Sequence, residues 1–241
     1  MLFNDDVLFL HLPKTAGTAV TNFLSRNLRG RIIFTERTPR LSKSDRAPVG
    51  AHVKLAVTRI RRELSLLCRP RLKRIDDARH LNLRQCCELL SRLGRKLEDF
   101  ETVLAVLRNP YDLEVSYFHF LRRGQLGLPG LARTRADRLA LAGDFAAFAE
   151  HAPFHASLES WFEIDGQRPP NLRILRFETL EEDLRRALRP FCTNLAGLPR
   201  VNVSDRQHYL TYLAPQIEEA IYRKYRWAFD CGFYSRETLR T

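Results

Sequence analysis

Three apolar stretches, each leading into a helix-like pattern, predict an α/β fold: three layers, α/β/α, built around a central parallel sheet. Residues 7–12 (VLFLHL), 103–107 (VLAVL) and 172–177 (LRILRF) are the strands. Each is short, is bounded by loop residues and precedes apolar positions at 3.6-residue spacing. The 241 residues read as one domain, 1–241, with a basic helical insertion over about 59–98.

The first strand stops at Pro13 and gives way to Lys14-Thr15-Ala16-Gly17-Thr18-Ala19. A helix follows, with Val20, Phe23, Leu24 and Leu28 on one face. A strand, a short glycine-containing loop and a helix together aim backbone N–H groups and a helix dipole at one anion. Lys14 adds a point charge at the loop mouth, and the Thr15 and Thr18 hydroxyls are further donors. The segment is therefore a candidate phosphate cradle. It is not the triphosphate loop G-x-x-x-x-G-K-[ST], because Lys14 precedes the glycine instead of following one. Ala16 fits this loop at negative φ.

Residues 31–35 (RIIFT) form the next strand. The segment 36–48 is polar, carries two prolines and reads as a loop. A short strand is expected over 49–57, and a basic helical stretch over 59–96, interrupted at Pro70. That stretch holds twelve Lys and Arg against four Asp and Glu, with Leu83, Cys86, Leu90, Leu93 and Leu97 on one apolar face.

The strand 103–107 ends in Arg108-Asn109-Pro110, followed by YDLEVSYFHFLRRG. Asn109 is the expected N-cap, Pro110 the first helical residue and Gly124 the terminator. A triphosphatase would end such a strand with an aspartate for Mg²⁺. This chain has an arginine there, whose fork suits a phosphate. After 172–177, Thr179 and Glu182 have the spacing of a capping box. The last amphipathic helix is expected over about 215–227 and is followed by FDCGFY.

These segments resemble the sulfotransferases that use 3′-phosphoadenosine 5′-phosphosulfate (PAPS), in the carbohydrate branch that includes the heparan sulfate 2-O-sulfotransferases. Pro13 to Ala19 match the family loop P-K-T-G-G-T-S except at Ala16 and Ala19. Arg108, Pro110 and Ser116 match the second motif, R-x-P-x-x-R-x-x-S-x-Y, with Leu113 and Phe118 departing from it. LRILRFETL and FDCGFY are similar to two further family segments. The resemblance implies a P-loop nucleotide-hydrolase-like fold in which Lys14, Thr15, Ala16, Gly17, Thr18 and Ala19 hold the 5′-phosphate. It also implies that Arg108 and Ser116 hold the 3′-phosphate, with PAPS as co-substrate and no metal. Between the two motifs, His52 resembles the branch's catalytic base, and Glu36 and His155 are the other candidates. His11 and His119 read as packing residues.

The formal charge of +12 and pI near 10.0 point to an anionic partner. PAPS, with roughly four negative charges, accounts for part of that excess. The basic stretch (Arg59, Arg61, Arg62, Arg69, Arg71, Lys73 and Arg74) suits an anionic polysaccharide or an anionic membrane surface. The expected acceptor is a carbohydrate or glycolipid hydroxyl. A nucleic-acid module lacks support, since no aromatic stacking motif or zinc spacing accompanies the charge. A P-loop kinase would need the Gly-Lys pair and the strand-end aspartate. Five cysteines, Cys68, Cys86, Cys87, Cys192 and Cys231, form no C-x-x-C pair and suit reduced thiols. Residues ahead of the first strand show no signal-peptide pattern, and no apolar run reaches membrane-spanning length. A cytoplasmic, bacterial enzyme is the expectation.

Overall fold

The computed structural model describes residues 1–36, 72–75, 80–126, 134–192, 197–198 and 206–237. Within them the chain runs β1 (Leu2–Phe3), β2 (Val7–Leu10), α1 (Gly17–Asn27), β3 (Ile32–Thr35), β4 (Leu72–Ile75) and α2 (Leu83–Arg92). It continues through β5 (Thr102–Leu107), α3 (Pro110–Leu126), α4 (Arg135–Ala142), α5 (Phe145–His151) and β6 (Leu172–Arg176). Helices α6 (Leu180–Leu188), α7 (Pro215–Lys224) and α8 (Arg226–Asp230) complete it. His52, the strand expected over 49–57, Cys68 and the arginines at 59, 61, 62, 69 and 71 lie outside the described residues.

The strands lie in the order β4-β3-β1-β2-β5-β6. β2, β5 and β6 are mutually parallel, as are β3 and β4. The α/β class holds, but the sheet is mixed, not purely parallel. β1 sits antiparallel between β2 and β3, with Leu2 opposite Phe9 and Phe34. A two-residue strand leaves no periodicity to read. A local turn sets it instead: the Asn4 side chain accepts the Asp6 and Val7 N–H groups at 3.1 and 2.7 Å. Because β1 runs antiparallel to both neighbours, β2, β3, β4, β5 and β6 all finish at one edge. Ligands of open α/β sheets bind at that edge.

Side-chain alternation explains the layers. Leu8, Leu10, Val103, Ala105 and Leu107 face one core with Leu83, Cys86, Leu89 and Leu90 of α2, Trp161, and Ile221 of α7. Val7, Phe9, Leu104 and Val106 face the other, with Val20, Phe23 and Leu24 of α1 and Leu184 and Leu188 of α6. Every residue of β5 is buried, as a strand covered on both faces requires. Burial of the Cys86 thiol pushes its pKa up to about 12, in keeping with a packing role.

Several local expectations give way to tertiary context. β4 lies inside the stretch expected to be helical, because Leu72 to Ile75 pair residue by residue with β3. Leu93 is 41% exposed and off the apolar face, since α2 ends at Arg92 and Gly94 turns at φ 70°. α3 continues through Gly124 to Leu126. Thr179 is the N-cap residue of α6 but makes no side-chain cap bond; its hydroxyl donates to Asp183, whose carboxylate also accepts the Arg176 N–H at 3.0 Å. The final helix is split at Tyr225. Among the described residues, no helix is long and apolar enough to cross a membrane.

The packing of α3 on α7 hides one carboxylate completely. Glu114 receives Lys224 Nζ at 2.6 Å and the Tyr225 hydroxyl. Burial raises the Glu114 pKa, and Lys224 opposes that shift. Lys224→Met should therefore destabilise the fold by about 3–5 kcal/mol, the usual cost of stranding a buried charge. A urea titration measures the loss, and adding Glu114→Gln should recover most of it.

Candidate functional site

The loop after β2 takes its shape from two left-handed residues. Lys14 has φ 62° and Ala16 has φ 59°, with Thr15 between them at negative φ. Alternation of this kind turns successive N–H groups toward one concave side, the geometry of an anion nest. Ala16 thus occupies the left-handed conformation that a glycine would take without strain, contrary to the negative φ expected for it. A strained non-glycine residue of this kind costs about 1–3 kcal/mol. It serves as N-cap of α1 with no side-chain bond. The first helical hydrogen bond runs from the Val20 N–H to the Ala16 carbonyl at 3.1 Å. The N–H groups of Gly17, Thr18 and Ala19 therefore precede the ladder and carry the positive end of the helix dipole.

Gly17 is required by a close neighbour. The His11 ring lies so close that an added Cβ would meet its Cδ2 and Nε2 at 1.8 Å. Thr15 departs from its expected role. Its hydroxyl donates to the Leu12 carbonyl at 3.2 Å and braces the loop from inside. Thr18 is half-buried in the first turn, and Ala19 contributes backbone alone.

Arg108, directly after β5, closes on this loop. Its Nη1 donates to the Lys14 carbonyl at 2.8 Å and to Ser116 Oγ at 3.2 Å. Its Nε and Nη2 hold Asp112 Oδ2 at 2.7 and 2.6 Å. The guanidinium also lies 4.0 Å over the Phe177 ring. Asn109 caps α3 as expected, accepting the Tyr111 N–H at 2.9 Å. The C-terminal segment supports the same strand end: the Tyr234 hydroxyl donates to Glu178 at 2.7 Å, and Glu178 accepts the Asn109 N–H at 2.9 Å. Lys14, Gly17, Arg108 and Ser116, singled out from separate motifs, thus come together at the tips of two adjacent parallel strands. Glu36 follows β3, two strands away from β2 across β1.

Two further cations belong to the site and carry no motif. Arg206 donates to Asp112 Oδ1, so that one carboxylate is shared by two guanidiniums. Arg123 sits farther along α3. The helical spacing of Asp112, Ser116 and Arg123 is the sequence signal that could have found it; Arg206 has no comparable signal. Burial and the charges of Arg108, Arg123 and Arg206 bring the Lys14 pKa down to about 8. The ammonium rests 4.1 Å over the ring of Phe120, a residue 54% exposed. Burial lowers the pKa of His119, with Arg206, Arg122 and Arg123 adding to the effect, and its Nε2 lies 2.9 Å from the Tyr212 hydroxyl. Arg108 and Arg206 share the Asp112 carboxylate, and the charges of both reach Lys14 together with that of Arg123, so the site suits a multiply charged anion.

Neither a family model nor a curated protein matches the chain. Among solved structures it is similar to the crystal structure of mouse sulfotransferase SULT7A1 complexed with PAP. The two share 17% identity at a TM-score of 0.41, over 97% of this chain and 68% of that one.

An anion seated on protonated Lys14 should bind with affinity that is flat below pH 8 and falls roughly tenfold per pH unit above it, because binding then requires proton uptake. Lys14→Arg, charged throughout, should flatten that slope; calorimetry with adenosine 3′,5′-bisphosphate from pH 7 to 9 checks both. Linkage gives the opposite sign for the unliganded fold. Between 8 and the ordinary lysine value of 10.5 the unfolded chain holds the proton more tightly, so stability rises with pH there. Gly17→Ala should displace the His11 ring and weaken binding of the same nucleotide at least tenfold while the fold persists by circular dichroism.

Proposed function

We propose that the chain is a sulfotransferase that moves the sulfuryl group of PAPS to a hydroxyl of a carbohydrate or glycolipid acceptor. The observation that carries this reading is the meeting of the Lys14 loop and Arg108 in one partly desolvated cationic site. Such a site matches a nucleotide that bears phosphate at both its 5′ and 3′ ends. The loop N–H groups and Lys14 face the 5′-phosphate, while Arg108 and Ser116 face the 3′-phosphate.

The chemistry this permits is in-line displacement at sulfur. As the bond from sulfur to the 5′-phosphate oxygen breaks, negative charge develops on that oxygen. Lys14 and the α1 N–H groups neutralise the charge at a preorganised position. With its pKa near 8, Lys14 is still mainly protonated at neutral pH. The acceptor hydroxyl must lose a proton, for which a histidine has a suitable pKa; His52 is the candidate from sequence. The basic stretch after residue 59, where Lys73 and Arg74 lie on β4, supports an anionic acceptor or contact with an anionic membrane.

A phosphoryl-transfer reading fits less well. The residue after β5 is Arg108, and the nearby carboxylate, Asp112, is already neutralised by two guanidiniums. A metal ion would have to compete with both. A purely nucleic-acid-binding role would leave the convergence on a single small site unexplained.

Calorimetry separates the classes. Adenosine 3′,5′-bisphosphate should bind at least tenfold more tightly than ATP-Mg²⁺, and equal or reversed affinity would overturn the assignment. Arg108 also braces the loop through the Lys14 carbonyl, so absolute affinity is a poor measure of its role. The ratio of affinities for adenosine 3′,5′-bisphosphate and adenosine 5′-monophosphate is the better one. Arg108→Lys should shrink that ratio at least fivefold; an unchanged ratio would show that Arg108 does not read the 3′-phosphate.

A further inference from the structure

Packing leaves apolar side chains uncovered at the mouth of the cradle. Leu93, Phe120 and Leu210 are the large hydrophobic residues exposed among the described ones, at 41%, 54% and 45%. Leu93 follows α2, and its neighbour Arg95 holds Asp5 in the turn ahead of β2, so it belongs to the opposite edge of the sheet. Phe120 and Leu210 flank the cradle instead.

Phe120 lies one helical turn beyond Ser116 on α3, with its ring over the Lys14 ammonium. Leu210 belongs to a short 3₁₀ turn, Tyr209–Tyr212, that runs alongside the same helix. Tyr209 stacks on Tyr111 at 6.1 Å between centroids, and the Tyr212 hydroxyl lies 2.9 Å from His119. Arg206, four residues ahead of Leu210, holds Asp112. The two exposed side chains therefore stand on adjoining elements around one opening. Arg122 and Arg123, the next exposed residues of α3, form no ion pair among the described residues. The charge of Arg123 reaches Lys14, and the charges of both arginines reach His119, which places them on this face.

Exposed Phe and Leu beside unpaired arginines suit one kind of partner. The apolar side chains enter the boundary between lipid headgroups and acyl chains, while the guanidinium forks grip headgroup phosphates. A soluble polyanion would use the arginines and gain nothing from Phe120 or Leu210. A stable protein partner would need about 800 Å² on each side with an apolar centre, more than two separate side chains supply.

We propose that Phe120 and Leu210, with Arg122 and Arg123 beside them, seat the protein on an anionic lipid bilayer with the cradle mouth toward the headgroups. Two apolar contacts and a few cations make the attachment weak and reversible. If the sulfotransferase reading above holds, the acceptor hydroxyls nearest the site are then those of lipid headgroups.

The test is co-sedimentation of the full chain, without nucleotide, with vesicles of phosphatidylcholine alone or mixed equally with phosphatidylglycerol. The protein should bind the mixed vesicles and leave the neutral ones in suspension. Phe120→Ser and Leu210→Ser should each lower partitioning at least about threefold, whereas Leu93→Ser should leave it unchanged. Arg122→Gln combined with Arg123→Gln should lower it roughly tenfold. Absence of binding to the mixed vesicles would overturn the proposal. So would a loss confined to the arginine pair, because the face would then be a site for soluble polyanions. A second measurement does not depend on lost binding. The emission added by Phe120→Trp should shift to the blue with mixed vesicles and be quenched by brominated acyl chains, and an unquenched tryptophan would place this face away from the bilayer. Vesicle binding is read without nucleotide, so it stands or falls separately from affinity for adenosine 3′,5′-bisphosphate, which tests the sulfotransferase reading.

Discussion

The bond from the Arg108 guanidinium to the Lys14 carbonyl is the constraint on which the site depends. It ties the loop after β2 to the end of β5 and, through Asp112 and Ser116, to the first turns of α3. A backbone carbonyl at φ 62° is strained and would relax if nothing held it. Arg108 holds it with a charge-assisted bond from a guanidinium that is itself gripped by a carboxylate and covered by Phe177. Removing that one side chain would free the loop, leave Asp112 with Arg206 alone and empty the buried space beneath the cradle.

Much of this could be read from the chain because the decisive signals are local. Residues 103–107 are apolar on both faces, and Asn109-Pro110 is a helix start whatever surrounds it, so strand, turn and helix followed directly. The convergence of Lys14 and Arg108 needed one more rule, that parallel strands finish at a common edge. What escaped notice depends on distant partners. β1 is too short to show a period and exists because Asn4 turns the chain back. β4 reads as part of a basic helix until β3 offers it a ladder. The left-handed Ala16 is stabilised by what packs around it and not by its own preference.

The residues of the candidate site divide in the same way. Lys14, Gly17, Arg108 and Ser116 sit in spaced motifs. Arg206 joins the site only because Asp112 has a second oxygen to offer, and no spacing records that. Electrostatics shows a related limit: the net charge of +12 announces an anionic partner, but the lowered Lys14 pKa depends on three arginines meeting in a half-buried space.

A receptor that folds around its ligand spends part of the association energy on ordering itself. Here the loop is already clamped from below by the Leu12 carbonyl and from the side by Arg108 before any guest arrives. The entropy of arranging those donors has been met during folding. A small, highly charged visitor can therefore be met by a nearly rigid surface, and its residence time should be governed by electrostatic release more than by loop opening.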